Sequence, residues 1–248
     1  YSLSQDLQSD YLEGVLVAHE LGHSLGSQHD AVGTSPRYIM YPSLGGSTID
    51  EYAEVARILD DADGVGALEG NISCPNIKKG GMMFGCSLQG TRDVVAAVRR
   101  VTRRPVIPKL TPNVTDVASF AAAARDAGAD AVSLVNTFLA MAIDVETRRP
   151  KLSNVVGGLS GPAIRPVAVR AVFDTHEALP DVPIIGVGGV ASAVDAVEFL
   201  MAGASAFQVG TATFADPAAP AVILRDLGRW CDDHGVSHLD ELIGAAHG

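Results

Sequence analysis

From about Gly45 onward, short apolar and β-branched runs alternate with longer stretches whose apolar positions recur at helical spacing. The short runs predict strands at Gly66–Ile72, Pro105–Leu110, Ala131–Asn136, Pro183–Val187 and Ala206–Val209. The longer stretches predict helices at Glu51–Asp61, Arg92–Thr102, Asp116–Ala127, Ile164–Ala178, Ala191–Ala202 and Ala218–His234. Near-continuous apolar strands read as parallel strands buried on both faces, and their even spacing favours a (β/α) barrel over a doubly wound sheet. Functional side chains are then expected where the strands end. Up to about Pro42 the text is different: polar, histidine-rich and without the repeat.

Composition narrows the class. A chain of 248 residues, 47% of them apolar, can bury a sizeable core in one large domain or two small ones. Eighteen Lys and Arg against 29 Asp and Glu leave a net charge of −11, which argues against nucleic acid or an anionic membrane surface as partner. Three cysteines, Cys74, Cys86 and Cys231, are too few for a disulfide framework and suggest a reducing compartment. No strongly apolar run approaches the roughly 18 residues of a membrane helix, and no basic-then-apolar leader opens the text. The expectation is a soluble, cytoplasmic enzyme.

The first chemical motif is His19-Glu-Leu-Gly-His23-Ser-Leu-Gly26-Ser-Gln-His29-Asp30. Two histidines four apart share one helix face, Gly26 lets the chain leave the helix, and His29 returns to complete a three-imidazole zinc site with one position open for water. Glu20 is placed to act as general base. Val15, Leu16, Leu21 and Leu25 could make this an amphipathic helix with solvated histidines, but three histidines, a Glu and a Gly all at the required spacing favour the zinc site.

The second constellation, Asn71-Ile-Ser-Cys74-Pro-Asn76, closes the first clear strand of the repeat. The proline stops the strand and Gly80, Gly81 and Gly85 loosen the next segment, so a thiol is presented between two amides. A thiol titrating at about 8.5 can move a proton near neutrality; these are also ordinary turn residues. Other strand ends add to the pattern. Lys109 closes the next strand, Asn136 and Thr137 the third, and a glycine run from Gly157 to Pro166 precedes the following helix. Gly188-Gly189 and Gly210-Thr211 follow the last two strands, where barrels commonly bind phosphate on backbone N–H groups.

These segments carry two resemblances. "VAHELGHSLGSQHD" with "YIMYPS" resembles the zinc motif of the adamalysin-like metzincin proteases, with Met40 at the Met-turn, over about the first 43 residues. "NISCPNIKKGGMMFG", "KLTPNVTD", "LVNTFLAMAIDVETRRP", "VVGGLSGPAIRP", "IIGVGG", "GASAFQVGTATF" and "LDELIGAAH" resemble the Cys-type, class 1 dihydroorotate dehydrogenases, from about Gly45 to His247. The variant they resemble most works with a flavin/iron–sulfur electron-transfer subunit. That resemblance implies FMN on an eight-stranded barrel and oxidation of dihydroorotate to orotate, a step of pyrimidine biosynthesis. It implies Cys74 as the base at C5, with Asn71, Asn76, Asn136 and Thr137 holding the pyrimidine. Lys109 would stabilise the reduced flavin, Asn71 and Val135 would line it, and Gly161, Gly188, Gly189, Gly210 and Thr211 would cradle it, mostly at its phosphate.

Together they predict a chimera joined near Tyr41 to Ser47: residues 1–44 a metzincin-like helical zinc-motif segment, residues 45–248 an incomplete TIM-type barrel. About five or six of the eight strands would be present, the sixth supplied by Arg37–Leu44, and the open edges would favour self-association or a homo-oligomer. Three functions stay open: an FMN-dependent oxidoreductase impaired by the missing strands, a zinc metalloendopeptidase-like zinc-binding chain, and an inactive fusion. If the histidine motif is a metal site, zinc titration against a chromogenic chelator should show one tight site that His23→Ala abolishes. Equal binding by both chains would sink the assignment.

Overall fold

The computed structural model describes residues 43–44, 48–73 and 84–248. A parallel sheet of six strands runs through it, hydrogen-bonded in chain order: β1 (Ser43–Leu44), β2 (Leu68–Asn71), β3 (Val106–Lys109), β4 (Val132–Leu134), β9 (Ile184–Val187) and β10 (Ala206–Gln208). The order never reverses, which is the progression of a barrel and not of a doubly wound sheet. The five expected strands are all present, each shorter by one to three residues. The sixth lies at the end of Arg37–Leu44, with Ser43 opposite Glu69. Among the described residues the sheet does not close, and β1 and β10 are its edges.

Side chains along each strand alternate between two buried faces. Leu68, Val106, Val132, Leu134, Ile184 and Phe207 belong to the main core, beneath the helices. Ala67, Ile107, Ile185 and Ala206 point the other way and make a small second cluster, with Ala131 and Val187 against it. The helical layer consists of α1 (Ile49–Asp60), α2 (Leu88–Val101), α3 (Val117–Asp126), α4 (Arg165–Ala178), α5 (Ala193–Met201), the single turn α6 (Ala212–Ala215) and α7 (Ala219–His234). Each long helix packs on the next, from α1 through α5 and then α7.

Local chemistry sets the helix starts. Thr48 and Glu51 form a reciprocal capping box on α1, and the side chains of Ser87, Asp116 and Ser192 accept N–H bonds at the starts of α2, α3 and α5. Gly235, left-handed at φ 68°, ends α7. The segment after α7 returns to the helical layer, where His247 stacks on Phe173 at 3.8 Å and lies 3.1 Å from the Ala202 carbonyl.

One region differs from expectation. The stretch between β4 and α4, read from sequence as strand ends and a glycine loop, folds into two antiparallel ribbons. β5 (Phe138–Ala140) pairs with β8 (Gly157–Leu159), and β6 (Ile143–Asp144) with β7 (Arg149–Pro150). Strands of two or three residues lie below the length at which periodicity can be read.

Phe199 of α5 is fully buried and lies close against β9 because Gly186 has no side chain; a Cβ there would sit 2.5 Å from the ring. Phe199→Ala should therefore cost about 3–5 kcal/mol of stability. Urea denaturation of the two chains would measure it, and a loss below about 1 kcal/mol would contradict this packing.

Candidate active site

The C-terminal ends of β3, β4, β9 and β10 surround a cavity of about 250 Å³. Lys109, Val135, Asn136, Thr137, Gly161, Gly188, Gly189, Gly210 and Thr211, all singled out from sequence, line it together. Ser160, Ile164, Val187, Gln208, Val209 and Phe214 also line it and were not anticipated. Lys109 is the only charged side chain among these lining residues.

One side of the cavity is built from three loops that follow strands. Gly188 and Gly189 leave β9 with φ of 136° and 85°, and Gly161 precedes α4 at φ 84°, conformations that side-chain-bearing residues adopt only with strain. The loops touch: a Cβ on Gly189 would lie 2.7 Å from the Gly161 carbonyl oxygen, and one on Gly161 would lie 3.3 Å from Thr211 Cγ2. The Thr211 hydroxyl donates to Ser160 Oγ at 2.8 Å, joining the first loop to the third. Asp195 of α5 accepts the Ala191 N–H at 3.0 Å and pairs with Arg165 at the start of α4, which pins the loop after β9. Gly210 keeps ordinary backbone geometry, and its carbonyl accepts the N–H and hydroxyl of Thr213 at 2.9 and 2.8 Å.

The other side is an amide cluster. Asn71 Oδ1 accepts from Ser73 Oγ at 3.1 Å and from Asn136 Nδ2 at 3.0 Å, and the same amide of Asn136 reaches Ser73 Oγ at 2.6 Å. Asn136 Oδ1 in turn accepts the Thr137 N–H at 2.7 Å. The Tyr52 hydroxyl donates to the Asn71 carbonyl at 2.7 Å, fixing the end of β2 to α1. Asn113 donates to the Thr137 carbonyl at 3.0 Å and accepts the Leu139 N–H at 2.9 Å, which ties the base of the first ribbon to this cluster. Asn71 stands behind the cavity wall, among the hydrogen-bonded groups that orient Asn136.

Beneath the cavity Glu69, to which the sequence pattern assigned no role, is buried in the inner face. Its carboxylate accepts Ser133 Oγ at 2.8 Å and Gln208 Nε2, and stands 3.7 Å from Lys109 Nζ. A carboxylate in the middle of a short buried strand, and a glutamine inside "AFQVG", were the available signals.

Cys74 and Asn76 lie outside the described residues, as do His19, Glu20, His23, His29 and Met40. Among the described residues no group of three or more His, Cys, Asp or Glu is arranged to hold a metal ion. No helix among them is long and apolar enough to cross a membrane. Burial pushes the thiols of Cys86 and Cys231 up from their ordinary value, with Asp232 and Glu241 adding to the effect at Cys231.

The sequence model of the dihydroorotate dehydrogenase family matches residues 17–230. The chain belongs to the dihydroorotate dehydrogenase family. The match begins at Val17, two residues before the histidine motif, and crosses the join expected at Tyr41 to Ser47, so family similarity is not confined to the part after Gly45. The chain is 55% identical over 205 residues to the catalytic subunit of dihydroorotate dehydrogenase B (NAD(+)) of Desulforudis audaxviator, covering 83% of this chain and 66% of that one. The corresponding subunit of Pelobacter propionicus is 54% identical over 200 residues, 81% of this chain and 66% of that one. That of Porphyromonas gingivalis is 52% identical over 206 residues, with coverages of 83% and 67%. The chain thus spans about two thirds of the length of the curated relatives it matches. The crystal structure of DHODH from Eimeria tenella in complex with ferulenol matches at a TM-score of 0.71 and 22% identity, covering 88% of this chain and 64% of that chain. At that identity the likeness concerns the fold.

Proposed function

We propose that this chain carries the catalytic part of an FMN-dependent oxidoreductase that converts dihydroorotate to orotate. The observation that carries the reading is the convergence of three glycine loops, one cavity-facing lysine and an amide cluster on a single cavity at the C-terminal ends of the strands. The donor set suits the cofactor. Where Gly161 and Gly189 meet, a Cβ would fill the space, as expected where backbone must approach a phosphate closely. Lys109 supplies a positive charge a short way along the same cavity.

FMN, when bound, would supply the two-electron acceptor that takes the hydride from C6 of dihydroorotate. The chain's own residues do the rest. Asn136 and Thr137, oriented by Asn71 and Ser73, hold the ring by its amide and carbonyl edges. Lys109 neutralises the negative charge that arrives with the electrons. Cys74 directly follows Ser73, a member of the amide cluster, and as thiolate takes the proton from C5, so proton and hydride leave adjacent carbons of one bound ring. Cys86 and Cys231, with thiols pushed up by burial, hold less of the reactive thiolate form near neutrality.

Relatives named as catalytic subunits of an NAD(+)-linked enzyme support a further polypeptide, a flavin/iron–sulfur electron-transfer subunit, as the route for the electrons. Leu139, Met141, Ile143, Val145, Val155 and Val156 on and between the ribbons are exposed, an apolar surface of the kind partner subunits or a second copy cover.

Two measurements test the reading. Alanine at Gly189 meets both a left-handed backbone, worth about 1–2 kcal/mol, and the Gly161 carbonyl, so Gly189→Ala should weaken FMN binding roughly tenfold or more by fluorescence quenching. Gly66→Ala, where a Cβ meets nothing within 4 Å, should not. In chain reconstituted with excess FMN, Cys74→Ala should slow dihydroorotate-dependent bleaching by about 10²- to 10⁴-fold, while Cys86→Ala and Cys231→Ala stay within a few-fold. Equal bleaching by wild type and Cys74→Ala would remove Cys74 from the mechanism.

A further inference from the structure

Glu69 is a carboxylate whose side chain is only 4% exposed, placed directly above an apolar layer of Ala67, Ile107, Ile185 and Ala206. A charge in that place is costly, and an apolar residue of similar size would serve the core better. Glu69 does not line the cavity, and neither does Ser133, but the other two members of its cluster, Lys109 and Gln208, do. The network therefore faces the cavity through two of its four side chains.

The sheet explains how the carboxylate is aimed. Glu69 lies one same-face step below Asn71 on β2, and Asn71 pairs in register with Lys109, which pairs in turn with Ser133. Ser133 on β4 and Gln208 on β10 both donate to Oε2, so donors from two strands hold the carboxylate. Oε1 is left toward the lysine, 3.7 Å from Nζ. At that separation the pair attracts but is not a hydrogen bond, so the ammonium donors stay available to the cavity. Among the described residues Glu69 is the only acidic side chain within 4.0 Å of Lys109.

We propose that Glu69 is a positioning residue: anchored by Ser133 and Gln208, it holds the Lys109 ammonium at the wall of the cavity. The benefit to catalysis rests on the function proposed above, in which Lys109 faces the cofactor; the coupling of Glu69 to Lys109 does not.

Amine acylation of the chain at fixed pH, followed by peptide mapping, reads that coupling without cofactor. Exposed Lys151 serves as internal reference, and alkylation of buried Cys231 reports on the integrity of the core. In Glu69→Gln the charge is lost while the shape is kept. Lys109 labelling should rise about fivefold or more, because the carboxylate that holds the ammonium at 3.7 Å is gone, with Lys151 and Cys231 unchanged. Ser133→Ala, which removes one anchor, should give a smaller rise in the same direction, and serves alone if Glu69→Gln does not fold. In FMN-loaded protein Glu69→Gln should lower kcat by up to about a hundredfold at unchanged KM for dihydroorotate, the signature of a misplaced group that does not bind substrate. Unchanged Lys109 labelling, or a parallel rise at Cys231, would overturn the proposal. A rise in Lys109 labelling in a chain that binds no FMN would support the coupling and overturn the proposed function instead.

Discussion

Parallel strands covered by helices must be buried on both faces, and in this chain the two faces are solved differently. The outer face is apolar without exception along β2, β3, β4 and β9, because it is buried in the main core beneath the helices. The inner face starts apolar at Ala67, Ile107 and Ala206, then changes one residue pair later to Glu69, Lys109, Ser133 and Gln208. Alternation forces every second residue of a strand into that interior, so a polar side chain placed there must find its partners inside the sheet. Glu69 does so from two other strands at once, and the cavity opens above it.

The rest of the site is set by where strands stop. Each loop after β8, β9 and β10 leads within a few residues into a helix or helical turn; Gly161, Gly188 and Gly189 turn the first two at positive φ, and Gly210 turns the third with ordinary geometry. Their lack of side chains lets the loops meet closely enough to form one wall. The facing wall is assembled by side-chain amides, with Asn71 and Ser73 from the end of β2 orienting Asn136 from the end of β4. Rigid sheet ends on both sides leave little freedom in the relative placement of Lys109, Asn136 and the glycines, which is the condition for a preorganised site.

The ribbons between β4 and α4 are the one addition to the repeat. They are anchored at their base, through Asn113 and Thr137, and expose apolar side chains along their length.

Strand and helix positions, the parallel sheet and nine of the cavity-lining residues were legible along the chain, because period-2 and helical patterns and the residues that end strands are local properties. A sixth strand at Ser43–Leu44 was also foreshadowed, since Arg37–Leu44 already carried a strand-like run. The ribbons were not, being too short to show a period. Nor was the role of Glu69: one carboxylate in a short buried strand marks an anomaly, but its partners Ser133 and Gln208 are 64 and 139 residues away. The histidine motif, whose spacing suggested a metal site, lies outside the described residues, in a stretch that the family similarity also spans. Local sequence therefore sets which residues stand at strand ends, by alternation and by turn chemistry. Which of them share a cavity, and which buried charges find each other, is decided by strand order and register, because those contacts join residues that no local pattern connects.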